Sequence, residues 1–305
     1  MTALGYLGPV GTYSYTALSQ YVVDNRVGKN QLIPVPTIIG LFDAFFLNDK
    51  NEPFDKKLDY VFVPIENSVN GNIGESLDGL IKYADKDFYI LDEVYMKIQT
   101  SLLCRENVEL DKITDVISHP QPLAQSSQFL RDNCPNAKHT LVESTGAGAQ
   151  YLSDENKLND LTFFRNKTDT VRPVFAAIGD AKLADTYGLR VLEYQINDYD
   201  NNTTRWFLLG RKKSSMTGND KSSFGFSIKK DSPGGLYHVL KIFADKSINL
   251  TKITSRPIKN IVGEYVFFID FEGHIEDNMI YNSLEEVKKR SSFFKFFGSY
   301  PITGN

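Results

Sequence analysis

Cysteine and histidine are scarce in this chain. Two cysteines, Cys104 and Cys134, stand among 305 residues. They are too few for a disulfide framework and are not spaced as a metal pair. The four histidines, His119, His139, His238 and His274, include no two at helical spacing, so no zinc or other metal site is expected. Long apolar runs are missing too, with nothing near the ~20 residues of a membrane span. Residues 1–6 carry no basic stretch followed by an apolar core, so no secretory signal is read there. With so few cysteines, this points to a reducing cytoplasm. Excess charge of either sign is also absent. A net charge of -4 makes neither nucleic acid nor an anionic membrane an expected partner.

The length suits two domains. The most informative stretch is Asn201-Asn202-Thr203-Thr204-Arg205-Trp206-Phe207, where amides, hydroxyls and a guanidinium run straight into the apolar segment 206–209. A polar cluster feeding a buried strand presents chemistry on a rigid edge. Residues 211–222 follow, rich in Lys and Ser, with Met216 their one strongly apolar side chain. They read as a linker. The expected division is a first domain over 1–210, a linker over 211–222 and a second domain over 223–305.

In the first region, strands alternate with helices, which predicts an α/β architecture. Strands are expected over 3–7, 60–65, 90–94, 98–104, 115–118, 141–143, 176–179 and 191–194. Helices are expected over 12–23, with Thr12 or Ser14 as cap, and over 38–48, 77–83 and 124–133. The run 60–65 is continuously apolar, as in a strand buried on both faces. A strand followed by a small or polar loop and a helix recurs at 8–14, 64–74, 118–122 and 144–149. Ligands of open α/β sheets bind at such carboxyl edges. Helix N-termini there favour anions. Residues 223–301 differ, reading βαββαβ, a ferredoxin-like unit. Its first helix is expected to start at Ser232-Pro233, with Ser232 as cap, and a turn is expected near Lys259-Asn260.

The loops carry a family resemblance. Gly5-Tyr6-Leu7-Gly8-Pro9-Val10-Gly11-Thr12-Tyr13-Ser14 resembles the opening motif of prephenate dehydratases, and Pro64-Ile65-Glu66-Asn67-Ser68-Val69-Asn70-Gly71 their central motif. Ser118-His119-Pro120-Gln121-Pro122-Leu123-Ala124-Gln125 and Glu143-Ser144-Thr145 are similar to a third and a fourth. Asn202-x-Thr204-Arg205-Trp206 is similar to their signature, whose aromatic is usually Phe. The ferredoxin-like tail resembles their ACT regulatory domain. Each motif alone is weakly specific, but five in order, plus the tail, cover essentially the whole chain.

The resemblance implies a two-lobed, periplasmic-binding-protein-like catalytic region with the site between lobes. It implies that prephenate loses its ring hydroxyl and carboxylate as water and CO2 to give phenylpyruvate. Aromatisation drives this step, so no metal, redox cofactor or other cofactor is expected. Thr204 is the implied donor to the departing hydroxyl. A threonine is a very weak acid, so it either polarises the leaving group or draws on Glu66, which burial could keep protonated. Arg205 either binds a substrate carboxylate or pairs structurally with a protein carboxylate. The implied substrate-binding residues are Thr12, Ser14, Asn67, Ser68, Gly71, His119, Gln121, Ser144, Thr145 and Asn202. Of these, Ser144 and Thr145 serve either as a plain cap or as an anion site.

In the tail the resemblance implies phenylalanine bound between paired ACT domains, in a dimer or tetramer. The matching positions are Gly234, Gly235, Leu236, Asn249, Leu250, Thr254, Ser255 and Arg256. Relatives usually have Ala at 235 and Glu at 254, so the strength of inhibition is in question here. The motifs begin at Gly5, so a chain with the dehydratase activity alone is expected. Arogenate dehydratase, or a sensor that kept the clamp and lost the chemistry, are the rival readings.

Overall fold

The computed structural model describes residues 1–46, 57–162, 173–228, 233–258 and 264–302. The first lobe runs β1 (Thr2–Leu7), α1 (Tyr13–Asp24), β2 (Asn30–Val35), α2 (Ile38–Phe46), β3 (Tyr60–Asn67), β4 (Gly71–Asn72), α3 (Gly74–Lys82) and β5 (Tyr89–Lys97). The chain then crosses to the second lobe: β6 (Ser101–Cys104), β7 (Asp115–Ser118), α4 (Pro120–Gln125), α5 (Ser127–Asn133), β8 (Lys138–Leu141), α6 (Thr145–Ser153), α7 (Glu155–Thr162), β9 (Phe175–Gly179), α8 (Lys182–Tyr187) and β10 (Arg190–Glu193). It returns through β11 (Thr203–Gly210), which inserts between β3 and β5 in the order β2-β1-β3-β11-β5. The second sheet is ordered β10-β6-β9-β7-β8. The two crossings lie side by side. Ile98 N donates to Asn202 O at 2.7 Å, and Thr100 N donates to Asn197 Oδ1 at 2.7 Å. This is the expected two-lobed clamp.

The tail follows as β12 (Asp220–Ile228), α9 (Gly235–Asp245), β13 (Leu250–Pro257), β14 (Tyr265–Glu272), α10 (Asn278–Arg290) and β15 (Ser291–Pro301), with the antiparallel sheet order β13-β14-β12-β15. The ferredoxin-like reading holds. Strand β12 nevertheless begins at Asp220, inside the stretch read as linker. Asp220, Lys221 and Ser222 are buried because they pair with β15, and Lys221 and Ser222 also with β14. Helix α9 is entered through Gly234 at φ 84, a left-handed conformation that glycine adopts freely. Ser232 and the expected turn at 259–260 lie outside the described residues, as do 47–48 of the helix read over 38–48.

Three local readings change. The helix expected over 124–133 is two helices broken at Ser126, whose buried hydroxyl bonds Thr100 across the lobe at 3.2 Å. The strand expected over 141–143 ends at Leu141. Strand β2 was not anticipated, and it contains Pro34. It is tolerated because β2 is an edge strand.

Successive residues of a strand face opposite ways, and the two faces of the first sheet bury different partners. Leu4, Tyr6, Phe62, Trp206 and Leu208 pack with Ala17 and Leu18 of α1. Val61, Val63, Ile65, Phe207 and Leu209 pack with α2 and α3, and also with Val266, Phe268, Phe297 and Tyr300 of the tail. This hydrophobic core is therefore shared between the first lobe and one face of the tail sheet. At Gly298 the strands are so close that a Cβ would meet Ile90 O at 2.5 Å.

Helix α3 closes onto α2 in the same way, since a Cβ at Gly79 would run into the Phe42 ring. Gly79→Ala is therefore expected to destabilise the protein by about 1–3 kcal/mol through overpacking, despite the better helix propensity of alanine. A lowered thermal unfolding midpoint with unchanged circular dichroism checks this.

Candidate active site

The centre of the site is a chain of side-chain amides ending on a hydroxyl. Asn67, at the end of β3, donates through Nδ2 to Thr204 Oγ1 at 3.0 Å and to Asn202 Oδ1 at 2.6 Å. Its Oδ1 accepts from the backbone N–H groups of Val69 and Asn70 at 3.1 and 3.0 Å, so the turn fixes which way the amide faces. Asn202 Nδ2 in turn donates to Gln125 Oε1 at 2.9 Å. Asn67, Asn202, Thr204 and Gln125 are all buried. With Asn67 donating to its oxygen, Thr204 finds no acceptor for its own proton among the described residues. Gln125 Nε2 is likewise a buried donor without a partner there. An unsatisfied buried donor is costly, and both of these line one cavity.

That cavity has a volume of about 390 Å³. All four recurrent loops reach it, with Thr12 and Ser14 from the first, Asn67 and Gly71 from the second, His119 and Gln121 from the third, and Ser144 and Thr145 from the fourth. Thr12 caps α1 by accepting from Tyr15 N at 3.3 Å, and Ser144 caps α6 by accepting from Ala147 N at 3.0 Å. The first turns of both helices thus stand at the cavity wall with their positive dipole ends. They meet closely: a Cβ on Gly146 of α6 would lie 2.8 Å from Val10 O. Among the described residues no Lys or Arg lines the cavity, and the one charged side chain there is Glu143. An anion here is met by helix termini and neutral donors.

Asn202 supports the cavity from behind its wall, through Asn67 and Gln125. Ser14 Oγ accepts from the Trp206 indole N–H at 3.0 Å, which ties α1 to β11. Gln121 is exposed, and its backbone N–H donates to His119 Nδ1 at 3.3 Å.

Three expected site residues lie elsewhere. Glu66, Arg205 and Ser68 border a separate cavity of about 810 Å³ that wraps the β5 edge. Arg205 precedes Trp206 on β11 and faces the tail. It donates to Glu93 Oε2 at 2.8 Å, pairs with Asp270 at 2.6 Å and donates to the Tyr300 hydroxyl at 3.1 Å. Burial alone disfavours its charge, but Asp270, Tyr300 and Glu93 outweigh this, and its pKa stands above the usual arginine value. It is the structural pair of the two alternatives. Glu66 is not buried: its side chain is 37% exposed and pairs with Lys252 at 2.5 Å. A register shift in the β3–β11 pairing puts it on the Arg205 side, away from the Thr204 cavity. Ser68 accepts from Thr203 N at 2.9 Å and donates to Asn201 O at 2.8 Å, clasping two loops together.

In the tail, Gly234 and Gly235 form the entry to α9, and Leu236 and Leu250 pack on the tail core. Asn249 Nδ2 donates to Glu272 at 2.9 Å. Thr254 Oγ1 accepts from Asn72 at 2.9 Å, and Arg256 donates to both Asp78 oxygens at 2.6 and 3.0 Å. These two residues of β13 therefore face the first lobe, while Ser255 between them is exposed on the other side.

Residues 4–214 match the family model for prephenate dehydratase, and residues 225–288 match that for the ACT domain. The chain belongs to the prephenate dehydratase family. It is 34% identical to a prephenate dehydratase of Methanocaldococcus jannaschii, over 98% of each chain. It is 31% identical to a bifunctional chorismate mutase/prephenate dehydratase of Aquifex aeolicus, over 98% of this chain and 73% of the other. The structure of the Arthrobacter aurescens prephenate dehydratase in complex with L-Phe superposes with a TM-score of 0.80 at 29% identity, covering 98% of this chain and 90% of that one.

Sequence reasoning missed Gln125 in favour of Gln121. The two are four apart, one helical turn, so a single face of α4 carries both. The apolar neighbour Leu123 was the available sign that Gln125 is the inner one.

His119 caps α4 as an acceptor, which requires a neutral ring, and burial lowers its pKa from 6.5. A lowered folded pKa means the native state resists protonation. The cap is intact above about pH 6.5, the ordinary histidine value, and is lost as pH falls through the folded pKa. His119→Asn, which caps without titrating, is expected to flatten the acid limb of the stability profile, as measured by thermal melts between pH 5 and 8.

Proposed function

We propose that this chain converts prephenate to phenylpyruvate in phenylalanine biosynthesis, as a carbon–oxygen lyase acting through Thr204. The observation that carries this is Thr204 itself. Asn67 occupies its oxygen, so its proton is left for a ligand in the cavity. As the ring carboxylate leaves as CO2, the electron pair of its C–C bond enters the ring, and the hydroxyl departs from the opposite carbon as hydroxide, which takes its proton from solvent water. Thr204 hydrogen-bonds that departing oxygen. The amide chain behind it holds no acid able to resupply a proton, and Glu66 lies on the opposite face. Both facts support polarisation by Thr204 over outright protonation. The first turns of α1 and α6, with Gln125, hold the carboxylates.

Phenylalanine is the proposed effector, acting at the tail. Support comes from the ACT match and from the Arthrobacter relative, whose structure holds L-Phe. Self-association through ACT domains as a dimer or tetramer, and a cytoplasmic location, complete the reading. No helix among the described residues is long and apolar enough to cross a membrane.

Thr204→Val is expected to lower kcat by about two to four orders of magnitude, with Thr204→Ser keeping most of the rate. The assay supplies prephenate and arogenate separately. Phenylpyruvate from the first is the expected product, whereas phenylalanine from the second, or no turnover of either, contradicts the reading. Calorimetry with phenylalanine is expected to show binding and parallel inhibition; an absence of heat removes the effector role.

A further inference from the structure

We infer that Arg205 and Glu66 are positioning residues, through which the tail sheet fixes the placement of Thr204 and Asn67. This rests on the proposed reaction. Thr204 and Arg205 are neighbours on β11, and Asn67 and Glu66 are neighbours on β3, paired as Thr204 with Asn67 and Arg205 with Glu66. One member of each neighbouring pair enters the cavity. The other is gripped by the tail.

All four tail strands take part. Lys221 of β12 pairs with Glu93 at 2.6 Å, and Lys252 of β13 pairs with Glu66 at 2.5 Å. Asp270 of β14 pairs with Arg205 at 2.6 Å, and Tyr300 of β15 accepts from it at 3.1 Å. Ser223 donates to Asp270 at 2.6 Å and bonds the Tyr300 hydroxyl at 2.6 Å. Arg205 and Glu66 are themselves 3.9 Å apart. The cluster balances three cations, Arg205, Lys221 and Lys252, against three carboxylates, Glu66, Glu93 and Asp270. Such a network has few alternative arrangements, because moving one member leaves another buried and unpaired. Any shift of the tail sheet therefore displaces the backbone from which Thr204 and Asn67 project. The network itself touches nothing in the cavity.

Removing Arg205 would leave the buried Asp270 without a cation and Glu93 with one ion-pair partner fewer, which endangers folding, so the test uses the cluster's more exposed edge. Lys252→Met and Glu66→Gln are each expected to lower kcat about 10- to 100-fold, as misplacement of a reacting group does. KM and the shape of the pH profile should stay as in the wild type, and the double variant should be no worse than either single one. Lys252→Arg should recover most of the rate. Backbone amide exchange at residues 66–68 and 203–205 should speed up in both variants. That second readout decides the inference even if prephenate proves not to be the substrate, an outcome the wild-type assay reveals by itself. Lys252→Met with unaltered exchange overturns the inference, as does Glu66→Gln with a lost limb of the pH profile, which would place Glu66 on the substrate.

Discussion

The period of two along a β-strand is the constraint on which this molecule turns. Thr204 and Trp206 face α1 and the cleft; Arg205 and Phe207 face the tail. On β3 the same division falls between Asn67 and Glu66, with the register shift opposite Arg205 bringing the pairs into line. A site on one face of a sheet is thereby built from the same peptide bonds as an interface on the other. The tail cannot be a loosely tethered appendage. Its residues complete the core beneath β11 and its charges neutralise those behind the site, so the short stretch between β11 and β12 is no measure of independence.

That no Lys or Arg among the described residues lines the cavity wall fits the chemistry. One carboxylate of the proposed substrate leaves as neutral CO2, so its charge disappears on the way to the transition state. A direct ion pair to it would stabilise the ground state most and raise the barrier. Helix termini and uncharged donors hold an anion in place while gripping less tightly a charge that must vanish. The other carboxylate keeps its charge throughout, and the same helix ends suffice for it. The arginine that the motif seemed to offer for this purpose is committed to Glu93 and Asp270, at distances that leave it no freedom to turn round.

Much of this was legible in the residues. Four strand-edge loops and one polar cluster identified the places that line the cavity, because small and polar residues interrupting apolar runs are where backbone and side-chain donors can meet a ligand. The direction of each side chain was harder to read. Alternation alone puts Thr204 and Arg205 on opposite faces, but whether Glu66 follows Arg205 or Thr204 depends on an irregularity in pairing that no local pattern reveals. Asp220, Lys221 and Ser222 looked like linker because they are polar. Lys221 is there because it answers a buried glutamate from another part of the chain. Long-range charge pairing of this kind reverses the usual inference from polarity to exposure.

Trp206 shows the same dependence on context. As a departure from the usual phenylalanine of the signature it first reads as a matter of volume, and its ring does stack on Phe62, with centroids 5.7 Å apart and planes 8° from parallel. A buried indole N–H, however, needs an acceptor, and Ser14 Oγ supplies one at 3.0 Å. Phenylalanine has no such donor. With one lone pair of Ser14 so engaged, its hydroxyl hydrogen is kept off the indole and is restricted to the remaining directions, at the first turn of α1. The larger aromatic thus adds a polar tie between the strand carrying Thr204 and the helix capped by Thr12, joining two walls of the cavity.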